Sequence, residues 1–384
     1  MISTLTDEQK NAAKGIQEFL SSPAKPNDYF VLSGPPGSGK TYMLEEALRG
    51  EKRSIIGGTI AHSAKDVLKQ SIPISYTIAQ LLDMQMDNSS EEISFRRGKS
   101  NSMKIDDAEI LVLDEVSMID DPLADAIIHE TSIRGIHLIV VGDPYQLPPV
   151  NQEHQSKFFN KIDAELTTSQ RFEGPIGELA VRIRHEIGNI NKDLPFNKYI
   201  LDEEYGRQDC MRGDTGYRFM NNIHTTVDRA AADIMNNSGD KNHTRILAYK
   251  NSTIELLNAG VRERIYGSKA HQFERREIVI CRGGFSVNRT PVIHNGKISV
   301  VTGVSYQLGP FGIPCAFLAL DNVPTTATGI PVVMNTVEAQ TAYETIRIQR
   351  YKEAKEFGQW SRYHQFLQSF AVFDYAYATS LYKA

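Results

Sequence analysis

An α/β fold with a parallel central sheet is what this sequence predicts for its first half, on two observations. Short continuous apolar runs, Tyr29-Phe30-Val31-Leu32, Ile110-Leu111-Val112-Leu113 and His137-Leu138-Ile139-Val140-Val141, are the signature of strands buried on both faces. Helical stretches such as Tyr42 to Leu48 alternate with them, so parallel strands with helices on both faces follow for residues 1–190. No internal repeat or low-complexity tract interrupts the chain.

The first of these strands opens into Gly34-Pro35-Pro36-Gly37-Ser38-Gly39-Lys40-Thr41, and a helix follows. Strand, glycine-rich turn and helix form the setting of a Walker A loop. Its small residues let successive backbone N–H groups curl around a phosphate, and the helix N-terminus adds its positive end. Lys40 is expected to reach the β- and γ-phosphates, and Thr41 to ligate Mg²⁺. The sequence therefore implies a nucleoside triphosphate site.

What the energy serves depends on the later strands. The run 110–113 ends in Asp114-Glu115. Asp114 suits the acid that holds Mg²⁺, and Glu115 the base for an attacking water. Adjacent acids favour hydrolysis over transfer to a metabolite, against a small-molecule kinase. The strand at 137–141 opens into Gly142-Asp143-Pro144-Tyr145-Gln146-Leu147-Pro148-Pro149. A side-chain amide there, Gln146, can contact the γ-phosphate, and the pattern disfavours an AAA+ remodeller. Arg171, in Thr168-Ser169-Gln170-Arg171-Phe172, is placed to stabilise charge on the transferred phosphoryl group.

With these residues in view, the chain resembles superfamily 1 helicases, in particular the RecD-like 5′→3′ branch. Leu5-Thr6-Asp7-Glu8-Gln9-Lys10 is similar to the family's N-terminal motif, in which a glutamine, here Gln9, reads the adenine. Residues Gly34 to Thr41, Asp114 to Met118 and Gly142 to Pro148 resemble motifs I, II and III, and Arg171 sits where the family has its first arginine finger. Arg245 to Asn251, with Leu257-Asn258 and Arg262, is similar to the opening of a second RecA-like domain, and Asp374 to Ala384 to a motif that normally continues into Gln-Gly.

The resemblance implies tandem RecA-like P-loop domains: the first at 1–190, the second at 191–268 plus 370–384 and incomplete. It also implies a pin hairpin at 84–106 and an SH3-like barrel with a helical arm at 269–369. Alternation around Arg97-Gly98 suggests the hairpin, with Phe95 as its aromatic, although a polar loop with an incidental Phe remains open. Short strands at 278–281, 297–301 and 316–320, with Asn295-Gly296 as a turn, suit a small barrel. The stretch Thr336 to Phe357, carrying Arg347, Arg350, Lys352 and Lys355, is either a solvated helix face or an arm bracing the pin.

ATP and Mg²⁺ are the implied cofactors, and single-stranded DNA and forks the implied partners. His62, Lys65, Thr77, Phe95 and Asn251 are the implied DNA-binding residues. The segment Gly58 to Lys65 departs from the usual Ala-Pro-Thr-x-x-Ala-Ala, keeping only His62 and Lys65. The chain stops at Ala384 inside a motif, before the family's second arginine finger, which implies a cut protein or a separate C-terminal polypeptide and slow turnover for this piece alone. A single-stranded-DNA-binding protein is a second possible partner. The rival is a non-catalytic ATP-binding clamp or subunit.

Composition is compatible with all of this. With 384 residues, 41% of them hydrophobic and 23% charged, the chain is long enough for more than one core. A formal charge of −5 is unusual for a DNA-tracking protein, so any phosphate-binding groove must be local. Cys210, Cys281 and Cys315 lack metal-site spacing and read as reduced thiols, and no segment is apolar enough for a membrane helix. These features imply the cytoplasm, a host's if the protein is viral.

Overall fold

The computed structural model describes residues 5–87, 94–97, 103–149, 152, 154–169, 174–188, 209–218, 222–237, 240, 243–248, 250–287, 290–323 and 329–380. The chain divides into two compact units, Met1–Gln85 with Arg97–Phe219, and Met86–Arg96 with Met220–Ala384.

In chain order the first unit begins with α1 (Asp7–Ser21), β1 (Phe30–Ser33), α2 (Lys40–Leu48), β2 (Ile55–Thr59), α3 (His62–Leu68), β3 (Ser75–Thr77) and α4 (Ile78–Leu81). Strands β4 (Met84–Asp87) and β5 (Ser94–Arg97) pair with each other. Then come β6 (Ile110–Leu113), α5 (Asp121–Arg134), β7 (His137–Gly142), β8 (Ala164–Glu165), α6 (Gly174–Gly188) and the antiparallel hairpin β9 (Cys210–Arg212) and β10 (Thr215–Tyr217).

Six strands form one sheet in the order β3-β2-β6-β7-β1-β8, and every pairing in it is parallel. Each residue of β1, β6 and β7 is buried, as their unbroken apolar runs require. One face is covered by α1 and α2 through Ile16, Met43, Leu44 and Leu48, the other by α5 through Ala124 and Ile127. Because β7 lies between β1 and β6, the ends of all three strands meet at one carboxyl edge, where ligands of open parallel sheets bind.

Local chemistry fixes the helix ends. Thr6 and Gln9 form a capping box on α1, and Asp120 caps α5, whose far end closes on Gly135 in the left-handed region. The hairpin β9–β10 packs against α6, and the first unit thus runs to Phe219, past the boundary of 190 read from the sequence.

The second unit contains α7 (Ile223–Asn236), β11 (Ile246–Ala248) and α8 (Asn251–Tyr266). Next come β12 (Ile278–Arg282), β13 (Phe285–Val287), β14 (Thr290–Ile293), β15 (Ile298–Leu308), β16 (Pro314–Leu320) and β17 (Ile330–Val333). Helices α9 (Val337–Phe357) and α10 (Trp360–Leu367) precede β18 (Val372–Tyr375) and β19 (Ala378–Ser380). Strand β19 pairs in parallel with β11, and the buried Asn258 of α8 fastens it: the Ala378 N–H donates to Asn258 Oδ1 at 2.7 Å and Asn258 Nδ2 to the Ala378 carbonyl at 3.1 Å.

Two expectations change here. The short strands near 278, 297 and 316 form an open antiparallel sheet, β17-β16-β15-β12-β18, with β13–β14 as a separate hairpin; among the described residues the sheet does not close on itself. Strand β18, expected in the second RecA-like domain with the rest of 370–384, instead pairs antiparallel with β12 in this sheet. The strands β4 and β5 pair with each other, and residues 88–93 between them lie outside the described residues. The helical stretch ending at Phe357 does form, as α9 capped by the Thr336 hydroxyl.

Candidate active site

At the carboxyl edge of the first unit's sheet, β1 gives way to the Gly34–Thr41 loop. The Gly34 N–H donates to the Gly142 carbonyl at 3.1 Å, tying the loop to the end of β7. Gly37 and Gly39 take φ of 76° and 81°, which lets the loop turn its amides inward before α2 starts at Lys40. A Cβ on Gly39 would also stand 2.5 Å from Gln9 Nε2, so that position has two reasons to be glycine.

Gln9 is built into this loop. Its Nε2 donates to the Ser38 carbonyl at 3.0 Å, and its Oε1 accepts the Thr6 N–H at 3.0 Å. A side-chain amide has two donors and two lone pairs, so one of each remains for a base edge. The Lys40 ammonium donates to the carbonyls of Gly34 and Pro35 at 2.7 and 3.0 Å, lying along the loop it would leave for a phosphate.

Around Lys40 gather Asp114 and Glu115 from the end of β6 and Asp143 from the end of β7. Burial pushes the Lys40 ammonium below its ordinary range, while these three carboxylates oppose the shift. Desolvation pushes the Asp114 carboxyl up, against the Glu115 N–H that donates to Asp114 Oδ1 at 2.9 Å and against Lys40. Glu115 is also raised, by burial first and then by the neighbouring Asp114. Its backbone sits at φ 57°, ψ 43°, a left-handed conformation that costs a non-glycine residue about 1–2 kcal/mol. A strained acid at the end of a central strand is a mark of function.

Which groups fit a nucleotide and its metal follows from this chemistry. The Ser38 hydroxyl in the loop and the Thr59 hydroxyl at the end of β2 are buried without a hydrogen-bond partner. Such orphaned groups cost free energy unless something binds them. Among the described residues no cluster of three or more His, Cys, Asp or Glu side chains could hold a metal. A Mg²⁺ that shares phosphate oxygens needs only one or two protein ligands, which the Thr41 hydroxyl and the Asp114 carboxylate would supply.

The β7 turn is held from two sides. Asp143, 2% exposed, accepts the Tyr145 N–H through Oδ1 at 3.0 Å, and its carbonyl accepts the Gln146 N–H at 3.1 Å. Arg184 of α6 also donates from Nη1 to Asp143 Oδ1, lies with its guanidinium carbon 4.4 Å from the Tyr145 ring centre, and has Nη2 at 3.6 Å from Glu165 Oε1. Sequence reasoning gave no role to Asp143 or Arg184. Asp143 was legible within Gly-Asp-x-x-Gln; nothing separates Arg184 from Arg182 in the sequence.

The structure thus brings together Gln9, the Gly34–Thr41 loop, Asp114, Glu115 and the turn bearing Gln146. Arg171 lies outside the described residues. The expected DNA residues lie on several elements. Thr77 is buried, its hydroxyl accepting the Gln80 N–H as the cap of α4, which differs from an exposed contact. Lys65 is 9% exposed on α3, whose first residue is His62. Phe95 lies on β5, and Asn251 is the exposed first residue of α8 in the second unit.

The chain is similar to several known proteins. A family model described as an AAA domain matches residues 4–192. The ATP-dependent DNA helicase dda of Enterobacteria phage T4 is 28% identical over 275 residues, covering 68% of this chain and 57% of that protein. The ATP-dependent DNA helicase Pif1 of Campylobacter jejuni is 26% identical over 142 residues, 35% of this chain and 32% of that protein. A solved structure of Pif1 helicases on forked DNA covers 99% of this chain at a TM-score of 0.49 and 15% identity. The chain therefore spans little more than half the length of the phage relative. No helix among the described residues is long and apolar enough to cross a membrane. Motifs I, II and III meet at one sheet edge, within a chain that is similar to an AAA domain over residues 4–192 and to DNA helicases of the Dda and Pif1 kind.

Proposed function

We propose that this chain is the motor portion of an ATP-dependent DNA helicase that moves 5′→3′ on single-stranded DNA and opens forks, in the cytoplasm. The observation that carries this reading is the cluster of Lys40, Asp114, Glu115 and Asp143 at one sheet edge beside a glycine-rich loop. Lys40 would hold the β- and γ-phosphates, and Gln9 would read adenine with its spare donor and acceptor. Thr41 and Asp114 would hold Mg²⁺, which when bound neutralises charge on the phosphates. Glu115 would take the proton of the attacking water, Gln146 would sense the terminal phosphate, and Arg171 would stabilise its developing charge.

Two relatives' names supply the substrate class, since both are DNA helicases. On this reading His62, Lys65, Phe95 and Asn251 meet DNA, β4–β5 is the pin, and β11 and β19 with α7 and α8 belong to a second RecA-like domain. The antiparallel sheet β12 and β15–β18 stands for the barrel insertion. Steady-state ATP hydrolysis with and without a single-stranded oligonucleotide tests the proposal. The expected result is turnover that rises with DNA and is lost in Lys40→Ala. Turnover indifferent to DNA would point to a remodelling ATPase instead, and Lys40→Ala within a few-fold of the parent would remove the P-loop assignment.

A further inference from the structure

Arg184 lies 41 positions beyond Asp143, on α6, yet its guanidinium makes two contacts at the β7 turn and a third approach to β8. Nη1 donates to the buried Asp143 carboxylate, the plane lies against Tyr145, and Nη2 faces Glu165 at 3.6 Å without a hydrogen bond. The planar fork of arginine suits this double duty, pairing with a carboxylate while stacking on a ring. Without it, Asp143 would be a buried carboxylate close to Asp114 and Glu115, with Lys40 as the remaining cation among the groups that act on this cluster.

Asp143 is also what shapes the turn. It accepts Tyr145 N–H with its side chain and Gln146 N–H with its carbonyl, so the direction in which Gln146 leaves the backbone depends on where Asp143 is held. We propose that Arg184 is a positioning residue of the ATPase site, clamping Asp143 and Tyr145 so that the Gln146 amide is presented to the terminal phosphate. This rests on the reading of the site as an ATPase. Arg184 acts through Gln146 and needs no contact with the nucleotide.

A double-mutant cycle tests it, with ADP affinity as the check that the site is folded. Arg184→Ala should lower kcat on the order of tenfold or more, as misplacement of a reacting group does, with KM for ATP within about threefold, a shift of about 0.65 kcal/mol or less. On a Gln146→Ala background the same substitution should cost less than about twofold, because the group it positions is gone. Arg184→Lys, which keeps the charge and loses the fork, should fall between parent and Arg184→Ala.

Equal losses from Arg184→Ala with and without Gln146 would overturn the proposal in favour of direct phosphate contact or general support of the fold. An unchanged kcat in Arg184→Ala would overturn it outright. If Arg184→Ala does not fold, Arg184→Lys run through the same cycle decides on the same criterion. Failure of the underlying ATPase reading looks different, because the parent itself would then lack turnover sensitive to Lys40→Ala.

Discussion

Glu115 combines a strained backbone, a desolvated carboxyl and a like charge next to it, and each of these opposes stability. All three suit a general base. A raised pKa brings a carboxylate toward the operating pH, where it accepts a proton from water more readily than an ordinary glutamate does. On the proposed reading Lys40 in the same cluster would bind phosphate and move no proton, so losing the two residues should have different signatures. Glu115→Gln keeps the shape and removes the base. ATP affinity, measured with a fluorescent analogue, should stay within a few-fold of the parent, while turnover falls on the order of a hundredfold or more. A variant that binds ATP weakly would show instead that Glu115 supports the loop geometry.

The elements show which inferences survive from one dimension to three. Strands β1, β6 and β7 were legible because each is an unbroken apolar run, and each carries its functional residues within a few positions of its end. Covalent connection fixed their placement. Strand β18 was not legible in that way: its alternation marks a strand but is silent on the partner, and β12 lies some 90 residues earlier. The Arg184–Asp143 pair was hidden for the same reason. For β4–β5, alternation in the sequence is matched by two paired strands, while the segment between them lies outside the described residues. If this hairpin is the pin, Phe95→Ala should reduce duplex separation more than DNA-stimulated ATP hydrolysis. Stacking on a fork base is worth about 1–3 kcal/mol and does not touch the ATP phosphates. Measured in an enzyme that carries the hairpin and unwinds, equal losses in both assays would make it a folding or general binding element.

At the scale of the whole molecule, the distribution of cores predicts how the chain melts. The first unit closes two apolar clusters, one on each face of its parallel sheet, around Ile16, Met43 and Val112 and around Leu111, Val140 and Phe158. The second closes its own, around Val279 and Leu318 and around Val261 and Tyr377. Units with separate cores unfold as separate cooperative events, so calorimetry should show two transitions. Every residue proposed to hold nucleotide and described in the structure belongs to the first unit. Nucleotide at a hundred times its Kd stabilises the unit that binds it by about 2.7 kcal/mol. For a unit of this size each kcal/mol moves the midpoint by about 2–4 °C, so ADP with Mg²⁺ should raise one transition by about 5–10 °C. Lys40→Ala should remove that rise and leave the other transition where it was. Two transitions rising together would place nucleotide contacts in both units, and a rise that persists in Lys40→Ala would move the binding site away from the Gly34–Thr41 loop.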